Sequence, residues 1–309
     1  MTSPVTERAE PPRSDPDTWT VLRLILWSAE YLDGKGVERA RLDGEHILAH
    51  ALGLKRLDLY LQYDRPLTPD ELDSFRPLLK RRAAREPLQY ILGSQPFREL
   101  DLEVDRRVLI PRPETEILVG EVLAWARARG DGPFDVLDIG TGSGAIALSL
   151  ALEGPFFRRI VATDVAPEAL EVATCNRAAA NLEDRVEFRE GADYTALEPD
   201  ERFDLIVSNP PYVPEPERVD LEPEVVDWEP GTALFAGADG LDVTRRLVAG
   251  APARLRSGGM LALEVGAGQT GAVEGLLEGM GGWEGITVKA DLTGRERIVM
   301  ATRAVTRHD

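Results

Sequence analysis

The strongest chemical signal in the chain is Ser208-Asn209-Pro210-Pro211-Tyr212. It follows the apolar run Phe203–Val207, which reads as a strand. Two consecutive prolines stiffen the turn that comes next. Such a turn holds Asn209 and Tyr212 beyond the carboxyl end of a strand, where open α/β sheets bind ligands. An amide nitrogen is a poor nucleophile because its lone pair is delocalised into the carbonyl. The Asn209 side-chain oxygen and the Pro210 carbonyl can each accept one N–H of such a nitrogen. This fixes the nitrogen in line with an electrophile and favours a localised lone pair as attack begins. Proximity and preorganised dipoles then carry the catalysis, and with a good leaving group no general base is needed before transfer. Pro211 and Tyr212 complete this substrate side, with Tyr212 walling the pocket or stacking on a flat group. The competing reading is a proline-rich turn without chemistry.

A second signal lies upstream. Asp138-Ile139-Gly140-Thr141-Gly142-Ser143-Gly144 follows an apolar run and opens a helix-like stretch. Glycines there let backbone approach a ligand, and a helix N-terminus offers free N–H groups. Gly140, Gly142 and Ala145 also satisfy a dinucleotide pattern, so the loop alone fits a nicotinamide, another nucleoside cofactor or a bare turn. Asp164 ends the second strand, where it would bond ribose hydroxyls of either cofactor. Asp138 suits a cofactor with a cationic methionine head, and Asp193, after the third strand, can accept from an adenine amino group. These two favour S-adenosylmethionine. The candidate cofactor residues are therefore Asp138, Gly140, Thr141, Gly142, Gly144, Asp164, Asp193 and Asn209.

The elements that must position these residues are legible in the hydrophobic pattern. Residues 1–17 are Pro-rich and polar and are expected to be disordered. Residues 18–86 form a helical domain, with Trp19, Leu22, Ile25, Leu26, Ala29 and Leu32 in helical period and Gly53 as a stop. A helix from Pro69 runs to about Glu86, with a kink at Pro77. Residues 87–113 form a connector in which Leu100, Leu102 and Val104, then Val108–Ile110, suggest a β-hairpin. Residues 114–309 alternate strand and helix, which implies a parallel sheet with helices on both faces. Seven strands are expected, near 136–139, 160–162, 186–188, 203–207, 260–265, 285–290 and 297–302. Only Asp291–Glu296 joins the last two, too short for a parallel crossover, so the final strand runs antiparallel.

The bulk numbers limit the function classes. The 309 residues carry a net charge of −18. Residues 17–95 balance 12 Lys/Arg against 12 Asp/Glu, whereas residues 96–309 carry 22 against 39. A negative catalytic half repels phosphate backbones, so no direct nucleic-acid binding is expected. Lys80, Arg81, Arg82 and Arg85 form a local basic run that reads as a solvated helix face. No stretch approaches the roughly 18 apolar residues of a membrane span, and Met1–Asp17 lacks the apolar core of a secretory signal. The lone cysteine, Cys175, suits the cytosol and a structural role. His46 and His50 share a helix face but have no third ligand, so no metal is expected.

Several further segments narrow the reading by resemblance. Asn-Pro-Pro-Tyr after strand four is shared by amino-methyltransferases acting on adenine, rRNA guanine and protein glutamine. Glu86–Gly93, Val108–Glu116 with its Ile-Pro-Arg-Pro-Glu-Thr-Glu run, Asp138–Leu148, Glu229–Leu234, Asp239–Leu241 and Asp291–Arg297 resemble the HemK/PrmC family of protein-(glutamine N5) methyltransferases. The reversed last strand resembles class I methyltransferases. The resemblance spans about residues 20–302 and implies an α/β class I methyltransferase-like seven-stranded sheet behind a small N-terminal helical, substrate-docking domain. It also implies S-adenosylmethionine as cofactor and, as substrate, the glutamine of a Gly-Gly-Gln loop in peptide chain release factors, in the cytoplasm. By the same analogy Phe97 and Pro111–Glu114, Arg112 among them, border the substrate pocket; read alone, Arg112 and Glu114 could be acid–base players, with structural roles at the Asn209 turn and the domain junction preferred. Arg98-Glu99 after Phe97, and Val265 after Glu264, depart from the family pattern. The alternatives are an amino-methyltransferase acting on nucleic acid or a ribosomal protein, and a binding module that keeps the fold without the activity.

Overall fold

The computed structural model describes residues 19–130 and 132–305; the tail expected to be disordered, residues 1–17, lies outside them. The chain divides into two compact units, Met1–Leu92 and Gly93–Asp309.

The first unit holds α1 (Val21–Asp33), α2 (Ala40–Leu52), α3 (Arg56–Tyr60), α4 (Pro69–Ala83) and α5 (Leu88–Leu92). Local chemistry sets the helix ends. Thr20 Oγ1 accepts from Arg23 N at the start of α1, and Gly53 closes α2 in the left-handed region. Thr68 and Glu71 form a reciprocal capping box around Pro69 at the start of α4. Ile25, Leu32, Ile47, Leu48, Phe75 and Leu79 pack into one core. Two expectations change here. α4 continues through Pro77 but stops at Ala83, because Arg85 takes a positive φ of 65° and Glu86 turns back onto Arg81 at 2.6 and 2.8 Å. The basic run is not simply a solvated face either: Arg82 is buried and donates to Asp43 at 2.7 Å.

The second unit opens with a hairpin, β1 (Ser94–Phe97) and β2 (Leu100–Glu103). This corrects the expected pairing with Val108–Ile110, which form no strand. Pro96 masks the first strand in the sequence, and Arg98, at a positive φ of 51°, makes the turn. Next comes α6 (Pro113–Arg129), a helix not expected from the sequence, in which Thr115, Leu118, Val119, Val122, Leu123 and Ala126 bury one helical face. The remaining elements are β3 (Phe134–Ile139), α7 (Ala145–Glu153), β4 (Phe157–Asp164), α8 (Pro167–Ala179), β5 (Val186–Glu190), β6 (Phe203–Ser208), α9 (Pro223–Val226), α10 (Gly231–Leu234), α11 (Asp242–Arg254), β7 (Leu255–Glu264), α12 (Thr270–Met280), β8 (Trp283–Ala290) and β9 (Glu296–Arg303). Their sheet order is β5-β4-β3-β6-β7-β9-β8. β9 runs antiparallel to both neighbours while the other pairs are parallel, which is the expected seven-stranded sheet with a reversed last strand. Every residue of β3 is buried, as a central strand covered on both faces requires. Cys175, expected to be structural, is exposed on α8. Among the described residues no helix is long and apolar enough to cross a membrane.

Candidate active site

Strand order reverses at β3, with β4 and β5 to one side and β6 and β7 to the other. A crevice opens at such a point beyond the strand carboxyl ends. The register decides what enters it. Ile139 pairs with Thr163 on one side and Ser208 on the other, so Gly140, Asp164 and Asn209 leave the sheet side by side. The Ser208 hydroxyl donates to Ile139 O at 2.6 Å and ties the two strand ends together. The crevice is a cavity of about 360 Å³ whose lining includes Ile139, Gly140, Gly142, Asp164, Asp193, Asn209, Pro210 and Pro211.

One wall is built from backbone. The amides of Gly140 and Thr141 donate to Thr163 O at 2.8 and 3.0 Å. Gly142 and Ala166 N–H groups donate to the two oxygens of Asp164 at 2.8 and 3.0 Å. Gly140 and Gly142 have φ of 73° and 55°, and a Cβ on either would meet nothing within 4 Å. The space a side chain would take there is open for a ligand. Burial pushes the Asp164 carboxyl up, against the pull of the Ala166 and Gly142 amides. A carboxylate has about four acceptor sites, so Asp164 retains capacity for hydroxyl donors from the cavity.

The other candidates on this side divide. Asp138 is fully buried and does not line the cavity; it accepts from the Thr141 hydroxyl at 2.7 Å and so holds the loop from beneath. Burial pushes the carboxyl up to about 7, against the hydrogen bonds from Thr141 and the Ala147 backbone. Gly144 caps α7, where a Cβ would press on Leu148. Asp193 lines the cavity, where Arg246 Nε donates to it at 2.6 Å.

The opposite wall, residues 208–211, is held from behind by side chains brought from far along the chain. Thr115, Glu264 and Gln269 do not line the cavity, nor does Tyr212, the residue expected to wall it. Asn209 Nδ2 donates to Thr115 Oγ1 at 3.1 Å, and the Thr115 hydroxyl donates to Glu264 Oε2 at 2.7 Å. Glu264 is 1% exposed, and burial pushes its carboxyl up to about 7. Gln269 Nε2 donates to Tyr212 O at 2.9 Å and to Asp239 O at 3.1 Å, clamping the proline turn. Gly240, at a φ of 74°, permits this, since a Cβ there would overlap the Tyr212 carbonyl oxygen. Burial pushes the Tyr212 phenol up to about 12, so it stays protonated near neutrality. Arg112 does not line the cavity: its Nη2 donates to both Glu229 oxygens at 2.6 and 2.8 Å, beside Pro230, which does line it. Phe97 is buried in β1 and likewise does not line it. Thr115, Glu229, Glu264 and Gln269 are not among the site residues the sequence singles out. Thr115 sits in the Pro-Glu-Thr-Glu run and Glu264 ends an apolar strand, and an acidic residue at the ligand-binding end of a strand was the available signal for the latter.

Comparison with known proteins bears on both units. Residues 23–93 match the PrmC N-terminal domain, and residues 122–225 match the methyltransferase small domain. The chain is 45% identical over 284 residues to the release factor glutamine methyltransferase of Geobacter sulfurreducens, covering 92% of this chain and 97% of that protein. It is 39% identical to the same-named protein of Rhodopirellula baltica, covering 94% and 99%. Among solved structures it is similar to the hMettl16 catalytic domain in complex with MAT2A 3'UTR hairpin 6, at a TM-score of 0.55 and 19% identity over 75% of this chain and 83% of that one. At that identity the likeness is one of fold.

Proposed function

We propose, because this chain belongs to the release factor glutamine methyltransferase family, that it methylates the side-chain amide nitrogen of a glutamine in peptide chain release factors. The observation that carries the reading is the meeting of Asn209 and the Gly140–Gly142 loop across one cavity at the strand-order reversal. The cavity suits S-adenosylmethionine: Asp164 for ribose hydroxyls, the Gly140 and Gly142 backbone for close approach, and Asp193 at the rim for the adenine amino group. When bound, that cofactor supplies a methyl group on a sulfonium. Asn209 Oδ1 and Pro210 O accept the two N–H groups of the glutamine amide and aim its nitrogen at that methyl. That nitrogen, aimed by Asn209 and Pro210, would accept the methyl group the cofactor supplies and give up one N–H proton to water. Orientation and fixed dipoles supply the rate. The helical residues 18–86 serve as a docking domain that holds the release factor so that its Gly-Gly-Gln loop reaches Asn209.

The test uses methyl-labelled S-adenosylmethionine and a cell extract. Label should appear in release factor and stay out of nucleic acid. Label in RNA or in ribosomal protein alone would replace this reading with that of another amino-methyltransferase.

A further inference from the structure

An asparagine amide has two nearly isosteric ends, one that accepts hydrogen bonds and one that donates them. Only the accepting end can hold a glutamine N–H, so catalysis at Asn209 depends on which end faces the cavity. Backbone does not decide this. The partners of the amide do.

Those partners form a directed chain. Glu264, ionised, only accepts. The single Thr115 hydroxyl proton therefore points at Glu264 Oε2, 2.7 Å away. The Thr115 oxygen is left to accept, and Asn209 must present Nδ2 to it, at 3.1 Å. Oδ1 is then left for the cavity that Asn209 lines. The three residues come from three elements: Thr115 from the first turn of α6, Asn209 from the end of β6, and Glu264 from the end of β7. β6 and β7 pair in register up to Ser208 and Leu263, which sets the carboxylate beside the asparagine.

We infer that Glu264 and Thr115 are positioning residues whose one-way hydrogen bonds lock the Asn209 amide with its oxygen toward the methyl-accepting nitrogen. The inference rests on the reading of Asn209 as the acceptor of the substrate N–H. It also gives a reason for a carboxylate in so buried a place, where burial alone disfavours its charge. Glu264 feels Glu114, Thr115 and Arg112 from the start of α6 and Arg297 from β9, and its charge is felt by Tyr212 after β6. Burial and Glu114 raise its carboxyl to about 7, against Thr115, Arg297 and Arg112. Once protonated, Glu264 can donate to Thr115. The Thr115 proton is then free to turn toward Asn209, and the amide is free to flip.

The experiment compares full-length Asn209→Ala, Thr115→Val, Thr115→Ser and Glu264→Gln on intact release factor. Thr115→Val keeps the side-chain shape and removes the hydroxyl. Its kcat should fall roughly 100-fold, as expected when a reacting group is misaligned, while cofactor Kd and release factor KM move less than about threefold. Thr115→Ser restores the hydroxyl and should recover kcat to within about fivefold. Wild-type kcat should drop as pH falls through about 7, where Glu264 takes a proton, and Thr115→Val should lose that limb.

Glu264→Gln separates positioning from stability. The raised folded carboxyl means that proton-linked stability is present below about 4.5 and is lost as pH rises through about 7. Glutamine escapes that loss, so the Tm of Glu264→Gln should gain on wild type as pH rises, while its kcat falls because a neutral amide can donate or accept. A Glu264 that only braced the fold would give losses in both. Folded Thr115→Val with wild-type kcat, beside an inactive Asn209→Ala, would overturn the relay and leave the Asn209 reading standing. Normal turnover by Asn209→Ala would overturn that reading and the relay with it.

Discussion

The two walls of the cavity are made in different ways. On the Gly140 side, neighbouring backbone amides fasten the loop to Thr163 and to the Asp164 carboxylate, and strand register does most of the placing. On the Asn209 side the placing is done by side chains 94 and 149 residues apart in the contacts to and from Thr115, with Gln269 and the Arg112–Glu229 pair around them. If the chemistry is as proposed, backbone suits the wall that binds, and directed side-chain hydrogen bonds suit the wall that aligns a reacting atom.

Mutation should expose the contrast. The largest effect is expected at Asn209. Asn209→Ala should lower kcat by about 100-fold or more, the scale of losing one preorganised polar contact to a transition state, while cofactor Kd, measured by calorimetry, stays within about threefold. A parallel loss of cofactor affinity would erase the division between the walls. Asp164→Ala is the counterpart on the other side. It should weaken S-adenosylmethionine by roughly 1–3 kcal/mol through lost charge-assisted hydrogen bonds, and saturating cofactor should restore most of kcat.

The proposed docking role of the helical unit is tested separately. Leu57 and Leu61 are 70% and 86% exposed in and just after α3. Leu57→Asp with Leu61→Asp should lower kcat/KM on intact release factor about tenfold, one lost contact's worth of binding energy. A short Gly-Gly-Gln peptide should be turned over as before. Equal losses on both substrates would mean that the helical unit supports the site and does not dock. The smallest change is expected at Arg246, which is paired with Asp193 at the exposed rim. Arg246→Ala should shift cofactor Kd by no more than about fivefold, because exposed ion pairs contribute about 1 kcal/mol or less.

The same division explains what was legible in the sequence. The Gly140 wall is contiguous: its strand, its glycines and Asp164 lie within 134–164, and the spacing alone exposes it. Asn209 and its prolines were legible for the same reason. Their supports were not, because no local pattern links Thr115 to Glu264, and a buried glutamate at the end of an apolar strand looks like the residue that closes it. Asp138, which its place before the glycines suggests for a ligand, accepts from Thr141 and does not line the cavity, since a one-residue offset along a strand moves a side chain to the opposite face. The β1 strand was hidden by Pro96, which a sheet interior excludes but a short edge hairpin tolerates. The reversed strand was legible because the length of Asp291–Glu296 permits nothing else.

Asn209 is proposed to aim a glutamine amide nitrogen at a transferable methyl group. That role is tested most directly with purified release factor, methyl-labelled S-adenosylmethionine and tandem mass spectrometry of the product. One labelled methyl on the side-chain amide nitrogen of the Gly-Gly-Gln glutamine, absent when the enzyme carries Asn209→Ala, is the result expected. Label on any other atom, or label undiminished with Asn209→Ala, would contradict the account.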